Sequence, residues 1–429
     1  MGLDMNIKLC LVSLIFLLPI TQVYGNFLED RKTMLALGCS AAVIGYLIYK
    51  NYQKSEDDDS LSLSKNMSLT NQHRQSDETS NADINFQDDY GCTALHRAVF
   101  KRSITEVQQL LENGADAEIV DNVGTSPFRY AVFYGFDEMV RLFLDYNVDI
   151  DAPYQKYDQS TALMLAASKN YIEIVQILLL YNADVNACGI GGMNALWFAV
   201  TNGFMQMAQM LIAAGADINK QEFSYLFTML HHAVAMKNLP LVKFLLEHGA
   251  DVNIRTAEGL TPLMIAFSGE EPDTEIIKLL IAHGSDVHQL MVDGCTSLHL
   301  AVVLQDLEVV KMLLERHVDV NAKTDGVGKT ALYLAVLLHN EEIVKELIMH
   351  HADVNILDCD GNALLHIAAD YFPEPDDIVS ILLEHGADIN VQNKDGLTPV
   401  HVALLYGRDT TFLRLLQYNP DITLKSNEG

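Results

Sequence analysis

Apolar and polar positions along this chain follow one pattern, G-x-[T/S/N]-x-[L/F/V]-x-x-A, which returns ten times from residue 91 onward. The units open at Gly91, Gly124, Gln159, Gly192, Leu226, Gly259, Gly294, Gly328, Gly361 and Gly396. Their separations are 33, 35, 33, 34, 33, 35, 34, 33 and 35 residues. A period held that tightly predicts a stack of identical supersecondary units instead of one globular core.

Local physics gives the content of a unit. In Gly259-Leu260-Thr261-Pro262-Leu263-Met264-Ile265-Ala266, the Thr261 hydroxyl can accept from the free N–H groups of a helix start. Pro262 fits the first helical position, where its missing donor costs nothing. Nine units place Thr, Ser or Asn at that cap, and Ala363 is the exception. All ten carry alanine five residues on, from Ala98 to Ala403, which predicts close helix-to-helix contact between stacked units. A second apolar stretch follows, as in Ile172, Ile174, Val175, Ile177, Leu178 and Leu179, with the spacing of a helix buried over most of its circumference. It ends at Gly-Ala-Asp or a variant, glycine suiting the left-handed residue that closes a helix. Val-Asn or Ile-Asn then leads through a short polar turn or hairpin into the next unit.

Helix, turn, helix, hairpin, with Thr261-Pro262-Leu263 and Thr398-Pro399-Val400-His401 near the motif T-P-L-H, resembles the ankyrin repeat over residues 88–429. The resemblance implies an all-α repeat solenoid of about ten ankyrin repeats, each a helix-turn-helix plus a β-hairpin. Departures are local: Ser126-Pro127-Phe128-Arg129 in unit 2, Leu226 for the opening glycine of unit 5, and Asn182, His351 and Asn419 for the glycine closing units 3, 8 and 10. Ser426-Asn427-Glu428-Gly429 falls at the opening turn of an eleventh unit, either a capping hairpin or the start of a longer array.

The N-terminus reads differently. Residues 9–20 are apolar after Lys8, and Val23 and Gly25 fit a small-residue cleavage pattern, so residues 1–25 are expected to be a signal peptide. A second apolar run, residues 34–50, is bounded by Arg31, Lys32 and Lys50; it is slightly short of the ~20 residues that cross ~30 Å of hydrocarbon. It is expected to be a transmembrane helix, because the polar linker beside it offers nothing to bury it against. Cleavage followed by stop-transfer, or retention of both runs as a hairpin, leaves the repeats cytoplasmic in a single-pass or hairpin arrangement; failure of the second run to insert makes the protein secreted. Residues 51–86, rich in Ser, Asp, Asn and Gln, read as a disordered acidic and polar linker, leaving 87–429 as the repeat domain.

Charge and chemistry narrow the function. The net charge is −29; residues 1–90 hold 7 basic and 12 acidic side chains, leaving 21 against 45 for the repeats. Such a surface disfavours nucleic acid and anionic membrane surfaces, and admits a basic protein partner. Four of the six cysteines, Cys92, Cys188, Cys295 and Cys359, lie in separate units, too distant for the ~5.5 Å Cα separation of a disulfide. Asp325-Gly326-Val327-Gly328-Lys329-Thr330 is similar to the end of a phosphate-binding loop, but its required earlier glycine falls on Lys323. His96, His231, His299, His366 and His401 occupy the repeat's own histidine position, where they are expected to tie neighbouring turns together. The adjacent pairs His231-His232 and His350-His351 lack zinc-ligand spacing. No catalytic residue, cofactor, metal or small-molecule substrate is expected.

Recognition remains. In ankyrin proteins hairpin tips and first helices form the binding face, a property the resemblance carries onto the equivalent stretches here. Residues 151–159 contain Tyr154 and Tyr157, residues 220–227 contain Phe223, Tyr225 and Phe227, and unit 4 places Trp197 where histidine is usual. These aromatics are the expected partner-binding residues; the alternative is that the longer hairpins fold back and bury them. The expectation is a membrane-tethered interaction scaffold or adaptor, with a secreted effector acting on host proteins as the competing class.

Overall fold

A computed structural model describes residues 83–154, 159–268, 272–290, 294–325, 328–371 and 377–427. They form two contact units, divided between Thr261 and Pro262, each a stack of helix pairs. The first holds α1 (Ala94–Phe100), α2 (Ile104–Glu112), α3 (Pro127–Phe133), α4 (Asp137–Asp145), α5 (Ala162–Ser168), α6 (Ile172–Leu180), α7 (Ala195–Thr201), α8 (Met205–Ala213), α9 (Met229–Ala235) and α10 (Leu239–Glu247). The second holds α11 (Pro262–Phe267), α12 (Thr274–Ala282), α13 (Ser297–Leu304), α14 (Leu307–Leu314), α15 (Ala331–Leu337), α16 (Glu341–Met349), α17 (Leu364–Tyr371), α18 (Ile378–Glu384), α19 (Pro399–Leu405) and α20 (Asp409–Leu416).

The caps start the helices as their chemistry requires. Thr93, Ser126, Thr161, Asn194, Thr228, Thr296, Thr330 and Thr398 each accept from the backbone N–H three residues on. The repeated alanine is buried in all ten units; nine are fully inaccessible and Ala266 is 8% exposed. Second helices bury one side: in α14 Val309, Val310, Leu313 and Leu314 are inside while Glu308 and Lys311 face out. Burying each such side chain contributes roughly 1.5–3 kcal/mol.

Second helices close on a left-handed residue in every unit. Glycine supplies it at 114, 215, 249, 284 and 386, while Asn147, Asn182, His317, His351 and Asn419 adopt φ between 52° and 67° in its place. The following Asp accepts from the N–H two residues on, for instance Asn219 N–H to Asp217 at 2.9 Å and Asn355 N–H to Asp353 at 2.9 Å. Much of the acidic surplus therefore sits in turns that need a carboxylate. The Asn after Val or Ile then links repeats: Asn186 Oδ1 accepts Asp217 N–H at 2.7 Å and Asn321 Oδ1 accepts Asp353 N–H at 2.8 Å.

Two expectations are corrected. The hairpins are turns, not β-structure: no residue among those described is in a strand. A unit-1 hairpin closes on Asp88 N–H to Cys92 O at 3.1 Å and Gly91 N–H to Asp88 O at 2.8 Å, too few pairs to make a ladder. The single-pass membrane placement is also overturned, since no helix among the described residues is long and apolar enough to cross a membrane. The longest has nine residues, about 14 Å at 1.5 Å per residue. The segments 1–25 and 34–50 and the linker to residue 82 lie outside the described residues. Residues 83–86 already form a turn joined to repeat 1, Asn85 Oδ1 accepting Asp116 N–H at 2.8 Å.

Candidate partner-binding surface

The site is built on the row of turns that opens each repeat, and the row is held from beneath. His96 Nδ1 faces the Thr93 N–H at 3.1 Å, a group that can only donate, and its Nε2 faces the Thr125 carbonyl at 3.0 Å, which can only accept. The ring is therefore neutral with its proton on Nε2. His231 to Leu260 O (3.3 Å), His299 to Lys329 O (3.1 Å) and His366 to Leu397 O (2.8 Å) repeat the tie, and Ala363, with no cap hydroxyl, still donates its N–H to His366.

Burial lowers the pKa of all four imidazoles, that of His231 to about 4. Unfolded imidazole protonates near 6.5, so between that pH and about 4 the unfolded chain binds more protons. Stability is complete above about pH 6.5 and falls as pH drops towards 4. Thermal unfolding is expected at a lower temperature at pH 5 than at pH 7.5; equal midpoints would show that these rings protonate freely in the fold.

Unit 2 keeps the tie with a different residue. Arg129 donates from Nη1 to Ser160 O at 3.0 Å and from Nη2 to Ser160 Oγ at 2.8 Å. Its guanidinium lies 4.0 Å from the Tyr154 ring centroid, and Tyr154 OH donates to Val123 O at 3.2 Å. Arginine at the histidine position is thus a structural replacement, where the sequence pattern registered only a departure. Tyr154 is its ring partner and is buried.

The turns also bond directly to one another. Asn122 N–H donates to Tyr90 O at 3.0 Å, Phe223 N–H to Gly191 O at 2.8 Å, and Ala257 N–H to Tyr225 O at 2.8 Å. Residues 220–227 form the most elaborate turn. The Glu222 carboxylate accepts from Ser224 N–H (2.7 Å), Tyr225 N–H (2.6 Å) and Phe227 N–H (3.3 Å). Leu226, replacing the usual glycine, holds φ at 57°, a conformation that costs a branched side chain strain. The Phe223 ring packs against Gly192, where an added Cβ would come within 2.8 Å of it.

The five described aromatics therefore divide. Trp197 and Phe227 are buried, Trp197 6.0 Å from the His232 ring and Phe227 5.5 Å from the His231 ring. With Tyr154 they pack the stack. Phe223 is 65% and Tyr225 45% exposed, joined by Leu226 at 40%. Tyr157 lies outside the described residues.

Other chemistry is sparse. Among the described residues no group of three or more His, Cys, Asp or Glu could hold a metal ion. No disulfide joins Cys92, Cys188, Cys295 or Cys359, and burial pushes the Cys92 thiol up to about 12, away from a reactive thiolate. In the loop that is similar to a phosphate-binding motif, Lys329 O accepts the His299 tie and Thr330 caps α15; 326–327 lie outside the described residues.

Paired short helices, a conserved-size alanine seam and linked turns define an interaction-repeat solenoid. A family model described as "Ankyrin repeats (3 copies)" matches residues 67–154, 95–188, 151–222, 230–324 and 332–426, and a second, "Ankyrin repeats (many copies)", matches 205–246. The chain belongs to the ankyrin repeat family, whose members act through protein–protein interaction; neither match is to a catalytic family. Among curated relatives it is 35% identical over 178 residues to "Ankyrin repeat and SOCS box protein 3" of Homo sapiens, covering 41% of this chain and 34% of that protein. It is 31% identical over 185 residues to "B-cell lymphoma 3 protein homolog" of Mus musculus (42% and 34%). Against "Nuclear factor NF-kappa-B p105 subunit" of Gallus gallus it is 29% identical over 265 residues (56% and 23%). The chain thus spans about a third or less of the length of these three relatives.

Proposed function

We propose that this chain is a non-enzymatic adaptor or scaffold that holds a protein partner on the linked turns at 189–192 and 220–227. The observation that carries the reading is the exposed Phe223–Tyr225 pair on a turn whose backbone is already fixed by Glu222 and by the bond to Gly191 O. Rigid aromatics lose little freedom on contact and are the side chains that dominate binding energy at interfaces. The partner face is basic, complementing repeats with 45 acidic and 21 basic side chains, so salt slows association.

Proximity labelling with wild type and the Phe223→Ala/Tyr225→Ala double variant tests this. Both side chains are at least 45% exposed, so the thermal midpoint is expected to stay in place while the enriched proteins fall about ten-fold, as when a hot spot is truncated. An unchanged set of labelled proteins from the folded variant removes this surface as the contact.

A further inference from the structure

At five repeat junctions the side chain at the histidine position donates to the carbonyl just before the next cap: His96 to Thr125 O, Arg129 to Ser160 O, His231 to Leu260 O, His299 to Lys329 O and His366 to Leu397 O. Each of those carbonyls also accepts a backbone N–H from its own turn, at 2.9–3.1 Å. Two donors therefore occupy both lone pairs of the oxygen.

The junction of repeats 4 and 5 breaks the pattern. Phe227 O takes the turn bond, from Glu222 N–H at 3.0 Å, and no second donor among the described residues reaches it. Trp197 stands at the histidine position with a donor of its own, unlike Met164 one repeat earlier. Its indole N–H meets no acceptor among the described residues and is not shut off from water. Trp197 keeps 7% of its surface exposed and Phe227 9%. A donor and half of a carbonyl are thus left open where five other junctions close them. Phe227 ends the same turn that carries Phe223 and Tyr225.

An N–H held in a largely apolar setting without a partner costs stability. A histidine would remove that cost, as it does in four other repeats. Counting donors and acceptors narrows what the open pair can receive. An ammonium or guanidinium only donates and a carboxylate only accepts, so either leaves one of the two groups unmatched. An amide supplies a C=O for the indole and an N–H for Phe227 O.

We propose that the Trp197 indole N–H and Phe227 O form the polar half of the surface at 189–192 and 220–227, and that they take an amide of the partner, main-chain or side-chain, beside the Phe223–Tyr225 pair. The inference rests on that surface being the contact. It makes Trp197 a specificity residue: the exposed aromatics supply apolar area, and the open pair selects a neutral amide at a fixed place beside them.

Trp197 is the only tryptophan in the chain, so its indole N–H gives a single resonance in a proton–nitrogen correlation spectrum of the full chain. Rapid exchange with deuterated water is expected in the free protein; an indole N–H that stays protected is already bonded and overturns the proposal. Proximity labelling then compares wild type, Phe223→Ala/Tyr225→Ala, and a chain with the benzothienyl isostere at Trp197, which keeps the fused ring and puts sulfur in place of the N–H. The readout is the set of proteins that the double variant loses. The isostere is expected to keep the wild-type thermal midpoint and to lower that set about ten-fold, the loss that follows when an acceptor is buried without its donor. A double variant that loses nothing removes the surface itself. Loss in the double variant with undiminished labelling by the isostere leaves the indole to water and overturns the amide pair alone.

Discussion

Replacing Leu298 by alanine is expected to lower stability by about 2–5 kcal/mol, and the loss should be felt locally. Leu298 is fully buried in α13, a helix packed against α14 in its own repeat and α15 in the next. Removing its isobutyl group leaves a cavity between elements that touch only near neighbours. In a linear array stability is a sum of repeat and neighbour terms, so protection against hydrogen exchange is expected to fall first around 294–325 and its adjoining repeats. Uniform loss of protection in all ten repeats would contradict the picture of one-dimensional coupling.

A comparable effect is expected from Arg129→Ala, about 2–4 kcal/mol. The substitution removes both bonds to Ser160 and the cation over Tyr154, leaving the buried Ser160 carbonyl without the guanidinium. Arg129→His should recover part of the loss, because an imidazole makes the equivalent bond in four other repeats. Urea unfolding of the three proteins reads this directly. A wild-type midpoint for Arg129→Ala would mean that the arginine is a passenger at this position.

The periodic features were legible in the sequence because they are local. A hydroxyl or amide at a helix start, an alanine at a helix contact and glycine at a left-handed position act within a few residues of themselves. Hence the ten helix pairs, eight of the side-chain caps and the ties of His96, His231, His299 and His366 are found where the repeat places them, while His401 bonds to Thr398 of its own turn. Left-handed closure at Asn147 and His317 leaves no mark in the sequence, since neither residue demands that conformation and the helix end imposes it.

The fate of the aromatics could not be read in the same way. Tyr154 and Phe223 both stand in lengthened turns, yet Tyr154 is covered by an arginine twenty-five residues earlier and Phe223 is left open on a glycine thirty-one residues earlier. Trp197 is drawn inside because it occupies the histidine position, which faces the next repeat. Exposure was decided by the neighbouring repeat, through contacts that no single unit encodes.

The central claim, that partner binding runs through the turn at 220–227, is tested most directly by placing a photo-crosslinking phenylalanine analogue at Tyr225 and irradiating intact cells. A discrete protein adduct that is lost when Phe223→Ala is added is the predicted result. Absence of any adduct at Tyr225, with adducts forming from an equally exposed site such as Leu357 (39% exposed, against 45% for Tyr225), would place the binding surface elsewhere on the repeats.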